Sequence, residues 1–234
     1  MNTKVPPTII ALASGKGGVG KSTACLALAG ALAEKGETVH IVDFDQNETL
    51  WTWYAGHEPA RQIQNLTVEQ APKSNIAEFI EALYTERSGY VLIDLAGSLN
   101  DVMMLVAVFA NIVIIPSKLG IADVMQADKL AEKLHQIGDK IGKPILHRIL
   151  LNELPYFLAA SQVHLMNQVN AMGVQRFENV LHVRPAYAEP QITGVPIQFD
   201  DRTRESTNKA CKEVTLLLDE ILALITPVEM KAAA

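Results

Sequence analysis

Residues 15–22 read Gly-Lys-Gly-Gly-Val-Gly-Lys-Ser, a complete G-x-x-x-x-G-K-[ST] phosphate loop with a second lysine directly after its first glycine. Glycines in such a loop let backbone N–H groups close around phosphate oxygens. The lysine beside the hydroxyl residue reaches the β and γ oxygens, and the hydroxyl serves magnesium. Gly15, Gly20, Lys21 and Ser22 fill those places, so Lys16 has no duty toward the chain's own nucleotide. It either points into solvent or reaches a phosphate held by a second subunit. The flanks supply the context the loop needs. Thr8-Ile9-Ile10-Ala11-Leu12-Ala13 is a short apolar, partly β-branched run that predicts a buried strand. Thr23 to Lys35 is Ala/Leu-rich, with strong helix propensity, and Gly36 closes it. Strand, glycine loop and helix is the order in which a helix N-terminus holds an anion.

Working outward, the pattern predicts strands at 8–13, 38–43, 66–70, 90–94, 111–115, 145–151 and 178–183. Helices are expected at 21–35, 47–55, 74–86, 99–109, 122–137, 158–172 and 203–225. This alternation gives an α/β fold, a parallel twisted sheet with helices on both faces. Its 234 residues, 49% hydrophobic, suffice for one core, so residues 1–234 are read as a single phosphate-loop domain with flexible ends at 1–7 and 227–234. A net charge of −6 means that the whole-molecule field does not draw the chain to DNA or to an acidic membrane; DNA binding would need a local patch. Cys25 and Cys211 lie far apart, outside any metal-finger spacing, and no secretory signal opens the chain, so a reducing cytoplasm is the expected compartment. The apolar stretch from Val102 to Ile115 is interrupted by Asn111 and stops at Pro116, short of the roughly 20 residues a spanning helix needs. The C-terminal stripe of Val214, Leu217, Leu218, Ile221, Leu222 and Ile225 has Asp219 and Glu220 opposite it. A membrane-surface helix is basic there, so packing on the domain is expected.

Lys-Gly-Gly-Val-Gly-Lys-Ser-Thr at 16–23 resembles the deviant Walker A box of the ParA/MinD ATPases, which dimerise around two ATP molecules. Three further segments fit in order. Thr38–Asp45 ends in Asp43-Phe44-Asp45, similar to the family's first switch, and Tyr90–Gly97 passes through Asp94, similar to its Walker B and second switch. Ile149-Leu150-Leu151-Asn152 resembles the strand whose terminal asparagine reads adenine. The related iron-protein ATPases carry cluster cysteines near the switches; this chain does not. The resemblance implies ATP held by Gly15, Gly17, Gly18, Val19, Gly20, Lys21, Ser22, Thr23 and Asn152. It also implies Mg2+ near Ser22, Asp43 and Asp94, and a homodimer with ATP in which Lys16 reaches the neighbour's phosphate.

Asp43, Asp45, Asp94 and Asn152 all fall at or beyond strand C-termini, where ligands bind in such sheets. Asp94, after four apolar residues, is expected to hold a magnesium-bound water; Asp45 orients and polarises the attacking water, and Asp43 supports switch and metal. A single aspartate at a strand end also serves as a helix cap or turn, but three in order beside a phosphate loop argue against that for the set. One departure stands out. The family continues Asp-x-Asp with Pro-Gln, whereas Asp45 precedes Gln46-Asn47. Loss of proline's φ restraint loosens the first switch, so slow or partner-dependent hydrolysis is expected.

Glu48–Trp53, Arg184–Tyr187 and Gly194–Ile197 look most like small ParA proteins of plasmid partition, a build shared by ATPases that recruit DNA for conjugative transfer. With no lysine or arginine between 46 and 60, Trp51 and Trp53 are read as packing rather than as a base-stacking platform. Candidate DNA contacts are Arg184, Arg202, Arg204, Lys209 and Lys212; Glu205, Lys209 and Glu213 at i, i+4 spacing could equally form helix-surface pairs. Expected partners are a second copy, nonspecific DNA and a small adaptor or centromere-binding protein, with no membrane. The alternatives are a phosphoryl-transfer enzyme of the dethiobiotin synthetase type and a MinD-like membrane positioner.

Overall fold

The computed structural model describes residues 5–97 and 101–226. Its strands are β1 (Thr8–Leu12), β2 (Val39–Asp43), β3 (Leu66–Gln70), β4 (Tyr90–Asp94), β5 (Ile112–Ser117) and β6 (His147–Leu151). Between and after them run α1 (Lys21–Glu34), α2 (Thr49–Gly56), α3 (Glu58–Arg61), α4 (Ile76–Glu86), α5 (Asp101–Phe109), α6 (Ile121–Ile141), α7 (Ala160–Ala171), α8 (Pro190–Thr193) and α9 (Glu205–Ile225). The strands form one sheet in the order β3-β2-β4-β1-β5-β6, every pairing parallel. The expected start of a helix at 99, and most of the two ends read as flexible, lie outside the described residues.

Both sheet faces are covered, which is why the strands read as unbroken apolar runs rather than as alternation. In β1, Ile10 and Leu12 enter a core with α1, α2 and α9, while Ile9 and Ala11 enter a second core with α4, α5 and α6. The apolar stripe of α9 is buried against α1 through Ala210, Val214, Leu217, Leu218 and Ile221, as the acidic outer face predicted. Register places Asp94 beside both Leu12 and Asp43, so the two carboxylates stand side by side at the sheet's C-terminal edge. Trp53 is buried and donates its indole N–H to Pro190 O (2.7 Å), a packing role for the second tryptophan.

Three expectations need correction. β5 does not stop at Pro116 but runs to Ser117. Val113 N–H donates toward β6, to Leu146 O (2.9 Å), so Pro116, three residues on, turns its donorless nitrogen to the other side, where β1 has already ended. The segment 178–183 is not a strand. It runs beside β6 with isolated bridges from Arg176 to Ile149 and from His182 to Leu154, because Glu220 on α9 captures the N–H groups of Glu178 (2.8 Å) and Asn179 (3.0 Å). Finally, α6 continues four residues beyond 137. Gly138 lies inside it, where a Cβ would come within 3.0 Å of Lys143 O, so the helix end packs against the returning chain.

Candidate nucleotide-binding site

The loop between β1 and α1 is braced by its carbonyl groups. Ser14 Oγ donates to Lys16 O (2.6 Å), and Asn152 Nδ2 donates to Val19 O (2.9 Å). Gly20 holds φ 84°, and a Cβ there would lie 2.1 Å from Asn152 Nδ2, so glycine is required by conformation and by space. Asn152, expected to read adenine, is buried with its amide nitrogen on the loop and its oxygen accepting from Glu153 N (2.9 Å). Its observed work is to hold the loop.

Two cavities meet at this loop. One, of about 540 Å3, is bordered by Gly17, Lys21, Ser22, Thr23, Asp45 and Gly97, and has the size and donors to take phosphates. The other, of about 350 Å3, runs along α1 as a mostly apolar slot between Leu26, Asn152, Val183, Tyr187 and Ile197, the lining a planar base requires. Lys21 is buried at the head of α1. Lys16 does not border the phosphate cavity; its ammonium pairs with Asp123 in the first turn of α6 while its side chain stays 56% exposed.

Asp94 is completely buried, and neither carboxylate oxygen has a hydrogen-bond partner among the described residues. Burial pushes its pKa up to about 7; the neighbouring Ser22 hydroxyl opposes this, the Asp43 charge adds to it, and Lys21 opposes it again. An orphaned carboxylate beside the loop hydroxyl fits magnesium, which keeps most of its coordination for water and phosphate. No group of three or more His, Cys, Asp or Glu side chains among the described residues forms an all-protein metal cage.

Asp43, expected to support switch and metal, is engaged on the switch side. Its Oδ1 accepts from Asp45 N (3.0 Å), and its Oδ2 accepts from Leu50 N (2.8 Å) and Trp51 N (3.0 Å). Burial raises its pKa, and those backbone donors pull it back. Asp43 is therefore an anchor, tying β2 to the strap 44–48 and to the first turn of α2. Asp45 borders the phosphate cavity, and its Oδ1 accepts both Asn47 N (2.9 Å) and Asn47 Nδ2 (3.0 Å). This Asx turn partly replaces the restraint lost with the missing proline.

The basic candidates separate. Arg184 is only 12% exposed, and its Nε donates to Glu213 Oε1 (3.0 Å), an acceptor shared with His182 Nδ1 (2.8 Å). Tyr187 Oη bonds the other oxygen (3.3 Å). Glu213 thus gathers the wall of the base slot onto α9, and Arg184 is part of that brace, not a surface contact. Arg202 pairs with Glu34 (2.7 Å), Arg204 lies 3.7 Å from both Glu189 and Asp201, and Lys209 pairs with Glu205 (2.5 Å). Lys212 is exposed. Ser14, Asp123 and Glu213 carry no local sequence signal, because the last two reach partners 107 and 29 residues away.

The CobQ/CobB/MinD/ParA nucleotide binding domain description matches residues 10–214, from β1 through the loop, Asp45 and Asp94 into α9. The chain belongs to this family. Its ParA and MinD members are ATPases. Protein ParA of Rhizobium radiobacter is 26% identical over 181 residues, covering 77% of this chain and 80% of the relative. Maintenance of carboxysome distribution protein A of Gloeobacter kilaueensis is 28% identical over 194 residues, covering 82% and 84%. Among solved structures, a plasmid partition protein from Borrelia burgdorferi B31 bound to AMPPNP superposes with a TM-score of 0.69 at 17% identity, covering 93% of this chain and 99% of that one. At that identity the likeness establishes the fold.

The state of Asp94 leads to a test. A carboxyl whose folded pKa is raised contributes stability that is fully present below its unfolded pKa of about 3.9 and is lost as pH rises through about 7. Asp94→Asn is therefore expected to raise the melting temperature of the nucleotide-free, magnesium-free protein at pH 8 and to flatten its decline between pH 5 and 8. The same substitution removes the extra stabilisation by magnesium with nucleotide. Scanning calorimetry across pH checks both; a variant less stable than wild type at pH 8 contradicts the buried, unpaired carboxylate.

Proposed function

We propose that this chain is a single-domain, Mg-ATP-dependent ATPase switch whose ATP-bound form is a homodimer and which positions DNA or another large cargo. The observation that carries the reading is Lys16, a second lysine outside the phosphate cavity of a loop already complete without it. A cation at that place, 56% exposed, is free to exchange Asp123 for a phosphate of a second subunit. In this reading Lys21, Ser22, Thr23 and the loop glycines hold the phosphates, Asn152 keeps the loop in shape, and Ser22 with Asp94 holds magnesium, which supplies charge neutralisation on the β and γ oxygens. Asp45 orients the attacking water. Hydrolysis is slow and stimulated by a small adaptor or centromere-binding protein, and loss of the γ-phosphate releases the dimer.

DNA as cargo draws support from the ParA relative and from the Borrelia plasmid partition protein; the carboxysome-distribution relative keeps a protein cargo within the same design. Among the described residues no helix is long and apolar enough to cross a membrane. With Arg184 committed to Glu213, the proposed DNA contact rests on Arg202, Arg204, Lys209 and Lys212. Most of these already face carboxylates, so a monomer is expected to bind duplex weakly, whereas a dimer doubles the sites.

Light scattering after size exclusion, with and without Mg-ATP, tests the dimer, and filter retention of a nonspecific duplex tests the cargo. Retention is expected only with ATP, with log affinity falling by about 0.9 per phosphate neutralised for each decade of salt. Replacing Arg202 and Arg204 together by Glu is expected to abolish retention and leave the dimer. Absence of retention by wild type with ATP at low salt removes the DNA reading.

A further inference from the structure

The segment that walls the base slot has no sheet to lie in. Residues 178–183 meet their neighbours only through isolated bridges, and Pro185–Tyr187 is one short 3-10 turn. Bonds from Leu154 N to Leu181 O (3.0 Å) and from Val183 N to Leu154 O (2.9 Å) hold one edge. Two carboxylates of α9, Glu213 and Glu220, hold the other. They stand about two turns apart on one face of the helix, and each takes donors that a neighbouring strand would otherwise satisfy.

The two grips differ in what they hold. Glu220 accepts from the N–H groups of Glu178 (2.8 Å) and Asn179 (3.0 Å) and from Asn179 Nδ2 (2.8 Å), and neither residue borders the slot. Glu213 accepts from His182 Nδ1 (2.8 Å), Arg184 Nε (3.0 Å), the His182 N–H (3.3 Å) and Tyr187 Oη (3.3 Å), and all three of those residues border it. Glu213 itself does not. Its side chain is 14% exposed, so little water competes for these bonds. Across the slot stand Leu26 and Ala27 of α1. One wall is therefore a helix, and the other is an irregular segment whose side chains converge on a single carboxylate. A wall that orders only when the base arrives costs affinity, whereas one fixed beforehand does not.

We propose that Glu213 is the positioning residue of the base slot: by fixing His182, Arg184 and Tyr187 before nucleotide arrives, it sets the affinity for the base without touching it. The inference rests on the ATPase reading above. Lys21, Ser22 and Asp45 border the phosphate cavity and Glu213 does not, so its loss leaves the reacting groups in place.

The test uses the full chain with Mg-ATP and the variants Glu213→Gln, Tyr187→Phe and Glu220→Gln. Glutamine keeps the shape of Glu213 but turns one acceptor into a donor, so a bond to the wall is lost. Phenylalanine keeps the ring of Tyr187 and removes only its bond to Glu213. Where chemistry is slow, KM follows the dissociation constant. Glu213→Gln is expected to raise KM for ATP about tenfold and Tyr187→Phe about two- to threefold, each with kcat within about twofold of wild type. Glu220→Gln is expected to lower the melting temperature of the nucleotide-free protein and to leave KM unchanged, which separates positioning of the slot from a general weakening of the α9 contact. An unchanged KM in Glu213→Gln, a fall in kcat alone, or an equal rise in KM for Glu220→Gln overturns the proposal. Should Glu213→Gln be unfolded at the assay temperature, Tyr187→Phe decides, and an unchanged KM there overturns it. Wild-type hydrolysis and calorimetric binding of ATP are measured first. Binding without hydrolysis retires the ATPase reading, and calorimetric dissociation constants then give the same comparison of variants; hydrolysis with no change of affinity in Glu213→Gln retires the role of Glu213 alone.

Discussion

Lys21→Ala is expected to abolish stabilisation by nucleotide, whereas Lys16→Ala is expected to keep it and to lose the ATP-dependent dimer. Lys21 is buried at the start of α1 and borders the phosphate cavity, so its loss removes charge from the cradle itself. Ligand at about 100 times its dissociation constant stabilises a protein by about 2.7 kcal/mol, and thermal unfolding with ATP or ADP should show that increment vanish. Lys16 pairs with Asp123 at the surface, where such pairs contribute about 0–1 kcal/mol. Removing it leaves Asp123 in the first turn of α6, where the helix dipole favours a negative charge, so the fold is hardly affected. Light scattering with Mg-ATP should then report a monomer that still binds nucleotide. Equal loss of nucleotide binding in both variants contradicts the cross-subunit role of Lys16.

The contrast between these two lysines shows what was legible in the sequence. The loop, its strand and its helix are contiguous, so spacing alone predicts them, and the apolar runs of β1, β2, β4 and β5 read directly as a sheet covered on both faces. What could not be read depends on pairs far apart in the chain. Nothing in residues 178–183 says that Glu220 will take their N–H groups, and nothing near Arg184 says that Glu213 will bury its charge. Pro116 reads as a stop until the end of β1 is known beside it. The same holds within the site. Asp43-Phe44-Asp45 reads as a water-orienting Asp45 with Asp43 in support, but it does not say that the fold brings the N-terminus of α2 to Asp43 and leaves Asp45 on the cavity wall.

That division of labour makes Asp45 the residue whose replacement should cost most in turnover and least in binding. Asp43 fixes the strap to the sheet through Asp45 N and through α2, so the strap does not depend on the Asp45 side chain alone. The loop glycines, Lys21 and Ser22 lie on the other wall of the same cavity and are untouched by the change. Asp45→Ala is therefore expected to bind ATP with near wild-type affinity and to accumulate as the dimer, while hydrolysis falls by about 10²–10⁴-fold, the range for loss of a group that positions and polarises the nucleophile. Alanine also deletes the Asx turn with Asn47, so a slack strap could imitate a chemical defect. Asp45→Asn separates the two: its amide oxygen still accepts from Asn47, but the charge that polarises water is gone. A comparable loss of turnover in both variants, with the dimer retained, assigns the defect to chemistry. Recovery of hydrolysis in the Asn variant assigns it to the strap, and a variant that stays monomeric with Mg-ATP or hydrolyses at the wild-type rate removes Asp45 from the mechanism.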